Sequence, residues 1–350
     1  MKQTIALSAN QFTHGGGIES YTFDLVRQLA DEPQTVVKVY ATKFDTTLPE
    51  YSLIKPELIN QKRIPKKLRP FFFAPQLKRR RGANERLIAC NPADDADVFI
   101  CGGNHLGYLR AMGLRANFID KLAVRRNRSN YASAKTIMAH SGMMQRELVD
   151  LYGVPPEKIR TVHPPADTER FYPNPEEIEA TRIRLGWRDD ETIFLFPSTG
   201  HKRKGLDLLA AFFEQTGLPV RLAVAGSPLP RPMRNVQALG FCKNMPELYR
   251  AADYTIMASL FEPFGLVGVE SVLCGTRVLL ADNMGCCEVM NEQAGFFFPR
   301  ENASLLAAAV AKAVALKQSG EHKIIEPMQA LTYNPTLEHH INQLFEMLDI

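Results

Sequence analysis

Short apolar runs alternate along this chain with longer stretches in which apolar residues recur every three or four positions. The short runs, bounded by turn residues, read as strands covered on both faces, and the longer stretches read as amphipathic helices. In the first half this predicts strands at 4–7, 36–41, 98–101 and 136–140, with helices at 19–30, 118–133 and 143–152. In the second half it predicts strands at 193–196, 220–225, 254–258 and 277–281, with helices at 206–214, 245–251, 265–273 and 304–316. Such alternation builds parallel sheets with helices on both sides. The rhythm restarts after residue 190, and a proline-rich, aperiodic stretch at 163–173 reads as a linker. The expected fold class is therefore α/β, with two doubly wound, Rossmann-like domains at 1–165 and 174–334. Their strand carboxyl ends should face an interdomain cleft that holds the ligands. Residues 335–350, apolar at 337, 341, 344, 345 and 348, read as a helix that packs back on the first domain.

A length of 350 residues suits two cores, and 45% hydrophobic with 23% charged residues is ordinary for a globular chain. No apolar run is long enough to span a bilayer, and the N-terminal residues read as a first strand instead of a secretory signal. Six cysteines without zinc-like or Cys-x-x-Cys spacing suit free thiols in a reducing cytoplasm. The net charge of +4 is unevenly spread: residues 60–86 hold ten Lys or Arg and one acid, a local +9 that leaves −5 for the remainder.

The most informative stretch is Glu262-Pro-Phe-Gly-Leu-Val-Gly-Val-Glu270, set between a strand-like and a helix-like run. The N–H groups at the start of that helix, around Gly265 to Val267, have no intrahelical partner and attract anions such as a diphosphate. Glu270 falls one turn deeper than Leu266 on the same face, where it could accept from a ribose diol. Glu262, before the helix, points toward whatever the phosphates carry. The combination suits a nucleotide sugar, although acids at a solvated helix start account for the two glutamates taken alone.

Two other turns add to it. Gly15-x-Gly17-x-x-Ser20 follows the first strand but lacks the third glycine of a dinucleotide fingerprint, and the second strand lacks the acid that would hold a ribose. The loop at 197–205 brings Lys202, Arg203 and Lys204 beside Gly205, where cations would stabilise charge on a departing phosphate. A solvated basic loop is the competing reading, and the spacing is not that of a P-loop. His105 follows a strand and would face the cleft, although a lone loop histidine is usually structural. Asp95-x-Asp97 has metal–nucleotide spacing at the wrong edge of its strand and reads as a solvated turn, so no catalytic metal is expected. The basic segment sets Lys66, Lys67, Lys78, Arg79, Arg80 and Arg81 around Phe71, Phe72 and Phe73. Cations beside exposed aromatics favour an anionic membrane surface, with nucleic acid as the competing partner.

These motifs together resemble the retaining family 4 glycosyltransferases of GT-B architecture, and within them the bacterial lipopolysaccharide core glucosyltransferases. The resemblance runs through Gly-Gly-Ile-Glu at 16–19, Pro-Pro-Ala-Asp-Thr-Glu-Arg-Phe-Tyr-Pro at 164–173 and Arg-Lys-Gly at 203–205. It continues through Leu-Tyr-Arg-Ala-Ala-Asp at 248–253 and Glu-Pro-Phe-Gly-Leu-x-x-x-Glu at 262–270. It implies that Gly16 and Gly17 lie against the donor diphosphate, that Arg203 or Lys204, Lys204 first, neutralises the leaving group, and that Glu262 touches the donor sugar. It further implies that Phe264, Gly265 and Leu266 act through backbone groups, that Glu270 holds the ribose, and that Lys204, Glu262 and His105 form the catalytic set. One departure stands out. Thr199 occupies the position where the family usually carries an arginine, which throws phosphate charge onto the cations at 202–204. The implied activity is transfer of a hexose, glucose from UDP-glucose first, to a membrane-held glycolipid such as lipopolysaccharide core. The resemblance implies a hexosyltransferase that retains configuration and uses no cofactor or metal, cytoplasmic and peripheral on the inner membrane, and binding no nucleic acid. A GT-B-fold nucleotide-sugar epimerase and a nucleic-acid-binding protein using residues 62–86 are the alternatives.

Overall fold

A computed structural model describes residues 3–15, 17–65 and 68–349, with Pro70 described by its backbone alone. Gly16, Lys66 and Lys67 lie outside the described residues. The chain divides into two units, one running to His163 and taking back the chain from Leu337, the other spanning Pro164–Thr336.

The first unit is built on seven parallel strands, β1 (Gln3–Ser8), β2 (Thr35–Ala41), β3 (Lys55–Leu58), β4 (Glu85–Ala89), β5 (Val98–Cys101), β6 (Thr136–Ala139) and β7 (Ile159–Thr161), in spatial order 3-2-1-4-5-6-7. Helices α1 (Gly17–Asp31), α2 (Arg69–Arg80), α3 (His105–Ala111), α4 (Phe118–Ser133) and α5 (Gly142–Tyr152) connect them. Side chains placed for capping start three of these helices: Asn104 accepts from Gly107 N at 2.7 Å, Asn117 and Asp120 form a capping box, and Ser141 accepts from Met144 N at 3.1 Å.

The second unit opens with α6 (Ile178–Leu185) and has six parallel strands, β8 (Thr192–Ser198), β9 (Val220–Gly226), β10 (Val236–Gly240), β11 (Tyr254–Met257), β12 (Val278–Ala281) and β13 (Gly295–Phe298), in the order 10-9-8-11-12-13. Between them run α7 (His201–Lys204), α8 (Leu206–Gln215), α9 (Met245–Ala251), α10 (Leu266–Leu273) and α11 (Ala303–Gln318). All seven residues of β8 and all four of β11 and β12 are buried, as strands between two helical layers must be. In each sheet the winding direction reverses beside the first strand, at β1/β4 and β8/β11, and ligands of such sheets bind beyond the carboxyl ends there.

Two expectations change, and that for the last helix holds. The stretch read as a linker belongs from Pro164 onward to the second unit: Ala166 is buried in its core and donates its N–H to Pro335 O at 2.8 Å, and Arg250 donates to Arg170 O and Tyr172 O. The last helix, α12 (Leu337–Leu348), contributes Ile341, Leu344 and Leu348 to the first unit's core. Asp97 is not in a solvated turn; at 4% exposure it accepts from Leu87 N, Lys135 and Arg81, locking β4 to β5 from below.

Candidate functional site

The cations of the second unit are placed by a turn that polar residues and one glycine dictate. After β8, His201 starts the four-residue α7 and is held from both ring nitrogens: Nδ1 lies 2.9 Å from Ser198 Oγ and Nε2 3.1 Å from Ser227 O. Gly205 ends that turn at φ 87°, and a Cβ there would come within 2.0 Å of Ala258 O, so no other residue lets α7 sit this close to β11. Leu260 N donates to Arg203 O at 2.8 Å and closes the arrangement.

That turn aims Arg203 and Lys204 at the loop before α10. Arg203 Nη1 donates to Phe261 O at 2.8 Å and Glu262 Oε2 at 2.9 Å, and Lys204 Nζ stands 3.4 Å from the same carboxylate oxygen. Arg203, Lys204 and Glu262, far apart in sequence, form one cluster. Lys202 is exposed and lines a separate, larger cavity beside Leu206, Asp207 and the Arg231–Glu214 ion pair, which holds none of the expected site residues.

Gly265, at φ 95°, turns the chain into α10; a Cβ there would press on Glu262 Cγ at 2.9 Å. Leu266 opens α10, while Phe264 is buried against Tyr333 and its carbonyl accepts from Cys286 N at 2.8 Å. The Phe264 carbonyl is thereby tied to the 285–289 turn. Gly285 N in turn donates to Glu262 O at 3.1 Å, so the 285–289 turn braces the whole Glu-Pro-Phe-Gly loop.

One turn deeper, Glu270 Oε2 accepts from Tyr249 OH at 2.9 Å. Burial pushes the Glu270 carboxyl above its ordinary range, against the pull of Tyr249, Arg170 and Lys204. Thr199, Lys204, Gly226, Tyr249, Val267 and Glu270 line one cavity of about 230 Å³ at the β8/β11 switch point, and Phe241, 75% exposed, stands at its edge. Tyr249, His201 and Phe241 were given no role from sequence. Tyr249 lies within a motif already quoted, but its partner is visible only once α9 and α10 pack together.

The first unit holds the remaining expectations. Gly17 begins α1 directly after the β1 turn, with nothing within 4 Å of where a Cβ would stand. His105 is not a loop residue: it is the first residue of α3, its Nε2 bonded at 2.8 Å to Asp120 Oδ1, the acid of the α4 capping box. This contact explains the histidine structurally, as a tie between α3 and α4.

The basic-aromatic segment also changes. Phe73 is 3% exposed and packs inward, Phe71 lies under the Arg126 guanidinium at 5.2 Å, and only Phe72, 47% exposed, presents its ring. Arg81 is bound to Asp97 at 2.5 Å and to Glu85 O, Lys78 pairs with Asp95 at 2.6 Å, and Arg80 reaches Leu58 O. Phe73 and Arg81 are therefore structural, whereas Phe72, Lys78, Arg79 and Arg80 are exposed.

Two doubly wound units, the second with cations and carboxylates gathered at its switch point, define the GT-B class of transferase scaffold. Solved structures agree on the fold: WaaG, a glycosyltransferase involved in lipopolysaccharide biosynthesis, superposes with a TM-score of 0.71 at 19% identity over 91% of this chain and 94% of that one. Anabaena HepE, in complex with UDP and glucose, does so at 0.72 and 18% identity over 99% of both. The family model Glycosyltransferase Family 4 matches residues 15–170, and Glycosyl transferases group 1 matches 177–326. A protein of Burkholderia thailandensis described as a probable transglycosylase is 41% identical over 98% of this chain and 96% of its own length. A D-inositol 3-phosphate glycosyltransferase of Acidothermus cellulolyticus is 37% identical over 43% of this chain and 39% of its own. The chain belongs to this glycosyltransferase family, and it is an enzyme of glycosyl transfer.

Proposed function

We propose that the enzyme moves a hexose, glucose first, from a UDP-linked donor to a membrane-held glycolipid of the lipopolysaccharide core type, with retention of configuration. The observation that carries this reading is that Lys204 and Glu270 line one cavity while Lys204 also reaches Glu262. Glu270 is the ribose acceptor, steadied by Tyr249; Phe241 offers an edge for the base; Lys204 and the N–H groups opening α10 meet the diphosphate. At about 230 Å³ the cavity is below the roughly 300–1,000 Å³ usual for a complete small ligand, so it takes the nucleoside, and the sugar lies beyond it near Glu262. Support also comes from HepE, whose solved complexes include UDP-glucose, and from WaaG, named for lipopolysaccharide biosynthesis.

Chemically, the C–O bond from the anomeric carbon to the diphosphate breaks as Lys204 and Arg203 offset the charge growing on the leaving oxygen. The acceptor hydroxyl attacks on the same face and gives its proton to the departing phosphate. Glu262, held by both cations, orients the sugar hydroxyls and is not a glycosidase-type acid or base. The reading needs no metal, and the described residues offer no group of three or more His, Cys, Asp or Glu side chains able to hold one. On this reading the enzyme works peripherally on the cytoplasmic face of the inner membrane; no described helix is long and apolar enough to cross a bilayer. Isothermal calorimetry across UDP-, GDP- and ADP-sugars tests the donor. UDP-glucose should bind tightest, Glu270→Ala should weaken it about tenfold or more, and Lys204→Ala should lower kcat by about 10²-fold with a smaller effect on Kd. Unchanged affinity in the Glu270 variant removes the nucleoside from this cavity.

A further inference from the structure

We propose that the lipid-contacting surface of this enzyme is the corner between α3 and α4, with Phe118 as its wedge and an anionic bilayer as its occupant. This rests on the reading that the acceptor is membrane-held, and it moves the contact away from the basic segment that sequence alone singles out.

The corner departs from an ordinary surface in two ways. Every residue from Gly113 to Ile119 is exposed, and three of them are large apolar side chains: Leu114 at 46%, Phe118 at 73% and Ile119 at 42%. Single exposed apolar residues mean little, but three within six positions form a patch that water disfavours. Behind Phe118 the exposed cations Lys121, Arg125 and Arg128 follow at intervals of three, four and three residues, which places them on one stripe of α4 beneath the wedge. Residues 110–128 hold six Lys or Arg against the single acid Asp120. Asp120 itself is turned into the structure, accepting from Asn117 N and bonded to His105.

An apolar tip followed by a cationic stripe is the chemistry that anionic lipid headgroups and the acyl boundary select together. A protein partner would match the apolar tip without requiring a uniform sign of charge along the helix. Nucleic acid would match the cations and leave the three apolar side chains in water. The Arg126–Phe71 contact joins α4 to α2, the helix that carries exposed Phe72 and Arg79.

Cosedimentation of the full chain with vesicles of phosphatidylcholine alone, and of phosphatidylcholine mixed with phosphatidylglycerol, tests the assignment. The wild type should partition onto the anionic vesicles and much less onto the neutral ones. Phe118→Ser combined with Ile119→Ser should lower that partition roughly tenfold or more, and Lys121→Gln with Arg125→Gln should lower it by roughly fivefold per charge. Neutralising Arg79 on α2 should cost less than either. All these positions are exposed, and melting temperatures within a few degrees of wild type confirm folding. Equal binding to neutral vesicles, unchanged partition of the Phe118/Ile119 variant, or a larger loss from Arg79→Gln overturns the proposal. The thermal-shift response to UDP-glucose, read on the same samples, keeps the two ideas apart. Intact vesicle binding without any donor response would sink the donor assignment and leave this surface standing; the reverse would sink the surface alone.

Discussion

At the scale of single residues, the site depends on carboxylates whose properties are set by neighbours distant in sequence. Glu270 is the clearest case. Burial raises its pKa while the Tyr249 hydroxyl, 2.9 Å away, favours the ionised form that can accept from a diol. Tyr249→Phe removes that donor and leaves the rest of the cavity in place. The variant's UDP affinity should fall about threefold to tenfold at pH 8, the scale of one lost bond to a charged group. The deficit should widen as the pH is lowered from there, because a Glu270 carboxyl without the Tyr249 hydroxyl is held still further above its ordinary range and protonates earlier than in the wild type. Calorimetry across that range decides it: parallel curves for the two proteins would mean the carboxylate does not bind nucleotide in its ionised form. The glutamates themselves were legible in sequence because they interrupt an apolar strand–turn–helix run. Tyr249 and His201 were not. An aromatic on an apolar helix face looks like core, and His201 gains its meaning only from Ser198 and Ser227 on neighbouring strand ends.

At the scale of elements, the strongly periodic helices and most of the fully buried strands are readable. β4, inside its sheet but opening on Glu85-Arg86, and the four-residue edge strand β13 are missed, and three other missed strands share a cause. β3, β7 and β10 lie at or beside sheet edges, are short, and include Pro56, Arg160 and Gln237, so they lack the continuous apolar run of a central strand. α7 reads as a loop in sequence because four polar residues carry no periodicity; tertiary anchors hold it. Its dependence on Gly205 is testable. Gly205→Ala places a methyl where Ala258 O already stands and forces a residue with a side chain to φ 87°. The expected cost is about 3 kcal/mol or more, with loss of transferase activity because Arg203 and Lys204 move with the turn. Gly320→Ala, at φ 79° with nothing within 4 Å, should cost only about 1 kcal/mol and leave activity intact. Denaturant midpoints followed by Trp187, buried in the second unit's core, compare the two directly. Equal midpoints would show that α7 can reseat without the close approach to β11.

At the scale of the whole molecule, the two units carry different acid-sensitive groups, so they should fail at different pH. In the first unit, burial lowers the pKa of His140 to about 3 and of His340 to about 4, and His340 on α12 bonds Tyr21 OH at 2.8 Å and His163 O at 3.0 Å. Both are neutral in the native state but take a proton below about 6.5 once unfolded. The unfolded chain therefore binds more protons there, and stability falls as the pH drops, by about 1.4 kcal/mol per unit for each histidine until its native pKa is reached. The second unit has a different weak point. Burial alone would raise the Asp253 pKa, but His322, Arg182, Lys317 and the Ile193 N–H outweigh it and hold it at about 2. A lowered carboxyl pKa stabilises above the unfolded value of about 3.9, and the benefit disappears only as the pH falls from there toward 2. Acid should thus loosen the first unit between pH 6.5 and 4 and the second only below pH 4. Trp187, the sole tryptophan, reports the second unit, whereas hydrogen exchange along α12 and β6 reports the first. The exchange protection should fall first on acidification, and His340→Phe, which keeps the ring buried without a titrating group, should shift that loss to lower pH. Simultaneous loss of both signals would mean that the histidines do not set the acid limit of the first unit.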